Sequence, residues 1–444
     1  MFRITDKASA AAIVIVFATT SVWALTAEQE AKLLPGDGQP GDAFGLDVAV
    51  DGDTAVIGAH LDDDNASQSG SAYVFIRAGE TWTEQAKLLP VDGADSDHFG
   101  ASVAVDGDTA IIGSNRADDN GAQSGSAHVF TRTGSVWTQL TKLLPSDGVA
   151  DARFGFSIAL DGDTALIGAE GDDDNGLQSG SVYVFTRAAN VWTETAKLLA
   201  ADGASGEGFG ASVALDGDTA VVGAAADDDN GAASGSAYVF TRTAGVWAEQ
   251  AKLLAADGMA DDQFGASVAL SGETVLVGAY TDDDNNTTGG SAYVFTGTGG
   301  VWTEQAKLLP SDGSAIDNFG ISVAVVGDTA VIGTRLDDDN GLNSGSAYIF
   351  TRAAGVWTEQ TKLLPEDGAA GDEFGIRVAV DGDTVLGGAF FDDDNGPASG
   401  SAYVFRLIPG DDNVPAVSGI GIVCLLLTML GGGIYFMRRE RLGR

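Results

Sequence analysis

Apolar and polar residues follow one another along this chain in short bursts that stop and restart at a fixed interval. In FGASVAV, beginning at Phe99, large side chains at Phe99, Val103 and Val105 alternate with small ones at Gly100, Ser102 and Ala104. Three more apolar-rich segments follow it: TAIIG from Thr109, SAHVFTR from Ser126 and WTQLTKLL from Trp137. Short β-branched and aromatic runs of this kind, bounded by Gly, Asp and Ser, predict strands. Asp106-Gly107-Asp108, between the first two, is a hairpin signal, because glycine takes a positive φ at little cost. One such unit therefore predicts four antiparallel strands and no helix.

The unit is written seven times. Phe-Gly pairs begin at Phe44, Phe99, Phe154, Phe209, Phe264, Phe319 and Phe374, each 55 residues after the last, and Trp82, Trp137, Trp192, Trp247, Trp302 and Trp357 keep the same step. An uninterrupted period of this length decides the architecture: an all-β, seven-bladed β-propeller of four-stranded antiparallel blades over residues 25–406. The large and small faces of the first strand allow neighbouring blades to interdigitate. The last copy supplies three strands and ends near Phe405, while AEQEAKLLP near the N-terminus matches the fourth-strand text TEQAKLLP. This predicts that residues 27–35 pair beside 401–406 and close the ring, removing its open edges.

Both ends read differently. Residues 1–24 carry Arg3 and Lys7, an apolar run and Val22-Trp23-Ala24, the pattern of a secretory signal peptide. Residues 407–416 read as a linker. The uncharged stretch 417–437 is long enough for a transmembrane helix, and Arg438, Arg439, Arg441 and Arg444 in the tail 438–444 belong on the cytoplasmic side. Val414, Pro415, Ser418, Gly419 and Gly421 ahead of that stretch resemble a PEP-CTERM sorting signal of the IPTL variety, with Ile420 in place of the usual Trp. The resemblance implies export, processing by a membrane protease and display on the outer surface; a plain single-pass anchor is the alternative. Cys424, the chain's one cysteine, falls in this stretch, so no disulfide framework can form.

The Phe-Gly pairs, with Gly58-Ala59, Gly168-Ala169, Gly223-Ala224, Gly278-Ala279 and Gly388-Ala389 after the second strand, resemble FG-GAP repeats, the units of the integrin α-chain propeller and of many bacterial surface proteins. The place of the family's Pro holds His60, Asn115, Glu170, Ala225, Tyr280, Arg335 and Phe390. The family's DxDxDG calcium loop is also missing, its connection being a tight DGD or SGE turn, so its metal residues do not carry over. The resemblance implies a binding or adhesion module at the cell surface.

Charge narrows the partners. With 23 basic against 64 acidic side chains the formal net charge is −41, which repels phosphate backbones and excludes a nucleic-acid binder working by counterion release. Yet 44% of residues are hydrophobic, so the acidity does not imply disorder. Much of it recurs by loop. DDDN between the second and third strands places Asp62, Asp63 and Asp64, then Asp172, Asp173 and Asp174, Asp227, Asp228 and Asp229, Asp282, Asp283 and Asp284, Asp337, Asp338 and Asp339, and Asp392, Asp393 and Asp394. Blade 2 has Ala117 in the first place. A second loop carries Asp37, Asp92, Asp147, Asp202, Asp257, Asp312 and Asp367, and most copies add a carboxylate two residues before the Phe. Strand alternation brings both loop types to one face. Two readings stand: oxygen ligands for Ca²⁺, or solvated turns favoured by Asp, Asn and Gly for local reasons.

Catalysis requires residues that break the repeat, and His60, His98 and His128 sit at three different repeat positions without forming a triad or zinc pattern. The expectation is a non-enzymatic module binding a surface protein or polysaccharide, with Arg116, Glu170, Tyr280, Arg335, Phe390 and Phe391 as variable contact residues. A structural envelope or matrix component and, more remotely, a propeller-based hydrolase or lyase are the alternatives. One further irregularity is Asp47 in the first blade and Arg377 in the seventh, where five other blades have Ser. These predict a salt bridge across the closing seam.

Overall fold

The computed structural model describes residues 25–284 and 288–410. The signal segment, the sorting motif, the apolar stretch 417–437 and the basic tail lie outside the described residues. Within them, strands form seven four-stranded antiparallel sheets, and no helix is long and apolar enough to cross a membrane. Blades 1 to 6 occupy 44–88, 99–143, 154–198, 209–253, 264–308 and 319–363. Blade 7 takes its first three strands from Val378–Asp381, Thr384–Ala389 and Ser401–Ile408, and its fourth from Thr26–Leu33. That N-terminal strand pairs antiparallel with Ser401–Ile408, from Thr26 opposite Ile408 to Leu33 opposite Ala402, which is the predicted ring closure.

Packing lies between blades. Seven apolar clusters each join one sheet to the next; Leu166, Val184 and Leu198 of blade 3, for instance, meet Phe209, Val222, Tyr238 and Phe240 of blade 4. Each Phe of a Phe-Gly pair is almost wholly buried. Its ring stands edge-on to third-strand aromatics, as Phe209 does to Tyr238 at 5.3 Å and to Phe240 at 5.9 Å. Such pairs contribute about 0.5–1.5 kcal/mol each beyond their burial.

The glycines of the repeat signature have a shared reason. A Cβ on Gly223, in the Gly-Ala of blade 4, would stand 1.9 Å from the carbonyl oxygen of Gly265, in the Phe-Gly of blade 5. The same backbone approach recurs at every seam, including Gly388 of blade 7 against Gly45 of blade 1. Gly265 also has φ +92°, and a Cβ there would meet the Ser236 carbonyl at 2.1 Å. The Phe-Gly glycine has such a positive φ in every blade, and in blades 3, 4, 5 and 7 the regular strand begins only after the pair.

Deleting residues 25–35 removes the fourth strand of blade 7 and exposes the edge at Ser401–Ile408. We expect the deleted protein to lose its single cooperative thermal transition in circular dichroism; an unchanged melting curve would show that the ring does not depend on this closure.

Candidate functional site

Two loop families share one face, as their contacts show: the Asp37 and Asp62 loops meet at a single side chain, Lys87. The arrangement is clearest in blade 3. Lys197, on the fourth strand, extends its ammonium to Asp147 at 2.9 Å, Asp172 at 3.1 Å and Asp174 at 2.7 Å. It lies 4.8 Å from the centre of the Tyr183 ring. The Tyr183 hydroxyl is 2.6 Å from Asp147 and 2.9 Å from Asp172, so its one proton is shared between two carboxylates. Lys32, Lys87, Lys252, Lys307 and Lys362 repeat this geometry in their blades.

The Asp triplets expected as calcium ligands are thereby divided among three tasks. The first member, Asp62, Asp172, Asp227, Asp282, Asp337 or Asp392, is buried and takes both the tyrosine and the lysine. The third, Asp64, Asp174, Asp229, Asp284, Asp339 or Asp394, pairs with the same lysine. The second points elsewhere where its bonds are described: Asp63, Asp173, Asp228, Asp338 and Asp393 accept the backbone N–H five residues on and close their own loops. Among the described residues no group of three or more His, Cys, Asp or Glu is placed to hold a metal ion. The lysine ammonium stands between the first and third carboxylates of the triplet.

The local electrostatics follow. Burial alone would lower the Lys197 pKa, but hydrogen bonds to Asp174, Tyr183, Asp147 and Asp172 hold it well above its ordinary value. Asp147 is held below the usual carboxylate range; its partial burial acts the other way and is outweighed by Tyr183 and Lys197. Asp42 and Asp262, two residues before their Phe, are pushed up to about 6 chiefly by burial, each relieved by one backbone N–H, from Gln39 and Met259. Blade 2 departs in a coordinated way. Ala117 replaces the first Asp and His128 replaces the tyrosine, with Ser126 and Gln139 on its two ring nitrogens, while Lys142 pairs with Asp92 and Asp119.

The axial channel breaks the symmetry. A cavity of about 470 Å³ is walled by the first strands of all blades. Its serines link blade to blade: Ser102, Ser157 and Ser267 donate to carbonyls of Gly155, Gly210 and Gly320, while Ser212 and Ser322 accept N–H groups of Val268 and Val378. At the closing seam, Arg377 lies 3.7 Å from Asp47, the predicted salt bridge. Burial pushes the Asp47 carboxyl up to about 6 against the pull of Arg377.

Toward the acidic-loop face the cavity meets His60, His98, Asn115 and Arg116. His60 and His98 are 38 residues apart in the chain, yet their rings stand edge-to-face at 5.2 Å. His60 Nδ1, His98 Nε2 and Asn115 Oδ1 are all buried without a hydrogen-bond partner in the protein. Leaving such atoms unpaired costs about 1–3 kcal/mol each, so they favour any ligand able to satisfy them. Burial lowers the His60 pKa to about 3, with His98 and Arg116 adding to the effect, and lowers that of His98 to about 4, with Arg116 adding. Both imidazoles are therefore neutral at neutral pH.

The other variable residues follow the second strand in their blades. Glu170 pairs with Arg153 at 2.8 Å. Arg335 contacts Asn318 and Glu373 at 3.3 and 3.9 Å. Asn318 also reaches the Tyr280 carbonyl. Phe390 and Phe391 stack at 3.9 Å, the second substantially exposed. The lysine and tyrosine of the acidic clusters were not read from the sequence as partners, although KLL and SAYVF recur in register and carry that signal.

Two outcomes test this electrostatic frame. Replacing Lys197 with Met strands three carboxylates, and we expect a loss of about 3 kcal/mol, partly restored by millimolar Ca²⁺ in thermal melts, with no calcium response in the parent. A calcium-stabilised parent would overturn the assignment of the cation role to lysine. The second concerns pH. Unfolded histidine takes up its proton near 6.5 whereas folded His98 resists to about 4, so acidification through this window favours the unfolded chain. The raised carboxylates act oppositely there, so the comparison is with a variant: His98→Gln gains melting temperature relative to the parent as pH falls from 7.5 to 5. A constant difference would contradict the neutral imidazole.

A family model described as the FG-GAP repeat matches the chain seven times, over residues 27–75, 82–130, 137–185, 192–240, 247–295, 302–350 and 357–405. No curated protein matches it.

Proposed function

Because this chain belongs to the FG-GAP repeat family, we propose that it is a non-enzymatic binding module. In this reading it is exported, held in the cell envelope by its C-terminal segment, and presents the channel mouth of its propeller to a surface protein or polysaccharide. One observation carries the reading. In seven nearly identical units, divergence is greatest at two places, after the second strand, where His60, Asn115, Glu170, Ala225, Tyr280, Arg335 and Phe390 stand, and just before the Phe-Gly pair, where Ala43, His98, Arg153, Gly208, Gln263, Asn318 and Glu373 stand. Buried polar atoms of His60, His98 and Asn115 among them lack partners. Repetition suits packing; a site recognising one ligand needs different groups at equivalent places. Arg, Tyr and Phe are side chains that anchor interfaces, and cavities with a few converging polar groups are the usual place for recognition.

The acidic clusters take a supporting part. With lysines neutralising their cores they hold the loop face rigid, and their outward carboxylates leave a negative surface that repels nucleic acid and attracts cationic partners. Calcium enters this reading only as a competitor for the lysines. The family resemblance by itself is fold-level support; the ligand must be argued from the site. The near-identity of the units outside the channel favours a second reading, a structural envelope or matrix component.

Capture experiments separate the two. Immobilised full-length protein is challenged with envelope proteins and polysaccharides, with and without Ca²⁺. We expect a retained ligand whose binding falls at least about tenfold in Asn115→Ala/Arg116→Ala, since losing charge-assisted hydrogen bonds costs roughly 1.5–3 kcal/mol. Retention indifferent to that double substitution would remove the channel mouth from recognition, and no retention at all would favour the structural component.

A further inference from the structure

At the opposite end of the blades from this mouth, a second pattern recurs and then fails once. Arg77, Arg132, Arg187, Arg242 and Arg352 occupy the same place in their third strands. In each, Nε donates to the aspartate of the blade's own hairpin turn at 2.6–2.7 Å. Nη1 donates to a threonine hydroxyl of the preceding blade at 2.7–3.1 Å, and Nη2 to the carbonyl of the turn glycine at 3.2–3.5 Å. The guanidinium carbon lies 5.1–5.3 Å from the centre of the cross-strand tryptophan. The chain thus contains five copies of one guanidinium receptor: carboxylate, hydroxyl, carbonyl and indole.

Two blades lack the arginine. In blade 7 its place is taken by Leu407, which is buried and fills the position with carbon. In blade 5 it is Gly297, which fills nothing. The other members remain there: Glu273 for the aspartate, Gly272 for the turn glycine, Thr219 on blade 4, and Trp302 paired across the strands with Gly297. The threonines that hold an arginine, Thr54, Thr109, Thr164, Thr274 and Thr384, are all buried, whereas Thr219 is partly exposed. Glu273 is exposed and makes no ion pair among the described residues. Trp302 has settled against the bare backbone, where a Cβ on Gly297 would meet its ring at 2.8 Å. Gly272, Glu273 and Gly297 also border a depression of about 460 Å³ on the other side of the strand, toward blade 6, where Asp328 and Arg352 form the far wall.

We propose that blade 5 binds a guanidinium supplied from outside the chain, the arginine side chain of a partner protein. The acceptor set selects this group over an ammonium, because a planar fork reaches carboxylate, hydroxyl and carbonyl together and stacks on indole, while lysine offers a compact point charge. The acidity of the chain draws such a cation toward the slot. The site is separate from the channel mouth, and neither depends on the other.

The test uses ethylguanidinium chloride as probe on the full-length protein, with ethylammonium chloride at equal ionic strength as control. The readout is the Trp302 indole N–H signal, identified by its loss in Trp302→Phe. We expect a saturable shift with ethylguanidinium only, at least about fivefold weaker in Glu273→Gln and absent in Gly297→Arg, which fills the slot from within and melts at higher temperature. Should Gly297→Arg fail to fold, the Glu273→Gln comparison stands alone. Equal shifts from the two cations, a shift that does not saturate, or a Glu273→Gln response equal to the parent's would overturn the proposal.

Discussion

The whole ring rests on backbone touching backbone at each seam. Where the Gly-Ala of one blade meets the Phe-Gly of the next, a Cβ would stand about 2 Å from the opposing carbonyl oxygen, as at Gly58 against Gly100 and Gly388 against Gly45. At that separation no side chain larger than hydrogen fits, and no rotamer change relieves the clash, because the obstacle is main chain. The close approach seats each Phe between sheets and lets the serines, with Asp47 at the first blade, form bonds from blade to blade around the channel. Seven equivalent seams must close together, so the N-terminal strand beside Ser401–Ile408 is part of the same constraint.

A propeller this acidic has to manage its own repulsion, and it does so with covalently attached cations. Each lysine is only about one-seventh exposed, Lys197 at 15% for example, and lies among carboxylates, and all but Lys142 have a tyrosine ring beneath them. A mobile metal ion would do the same electrostatic work with more ligands and at the mercy of its concentration; an ammonium on a strand is always present. Blade 2 shows how tightly the parts are matched. Where Ala117 removes the innermost carboxylate, the tyrosine that would have bonded to it is replaced by His128, which finds partners in Ser126 and Gln139. In five blades the turn arginines solve the corresponding problem at the opposite end, pairing with Asp53 and its equivalents.

Much was legible in advance because the repeat multiplies weak signals. One alternating stretch is ambiguous, but seven in register leave only a propeller, and a missing fourth strand at one end with a spare copy at the other leaves only closure. Asp47 and Arg377 were readable as a seam pair for the same reason, since each departs from a position that is otherwise Ser. The role of the Asp triplets was not readable. Side chains at Asp147, Asp172, Asp174, Tyr183 and Lys197 come from four segments, two loops and two strands, and which of them share a proton or a charge depends on how far each loop folds inward.

The periodic positions of Phe, Gly and Trp therefore determined the blade and the count of seven, and the spare fourth-strand text near the N-terminus the joining of the ends, because strand alternation and steric exclusion at glycine act through local text repeated without interruption. Tertiary structure alone decided which charges neutralise one another and which polar atoms are left without partners. His60 and His98 became neighbours, Glu273 was left without its arginine, and a lysine came to lie among the aspartates of each acidic cluster. These are outcomes of distance across loops and seams, and energies that fall off over a few ångströms cannot be read from spacing along a chain.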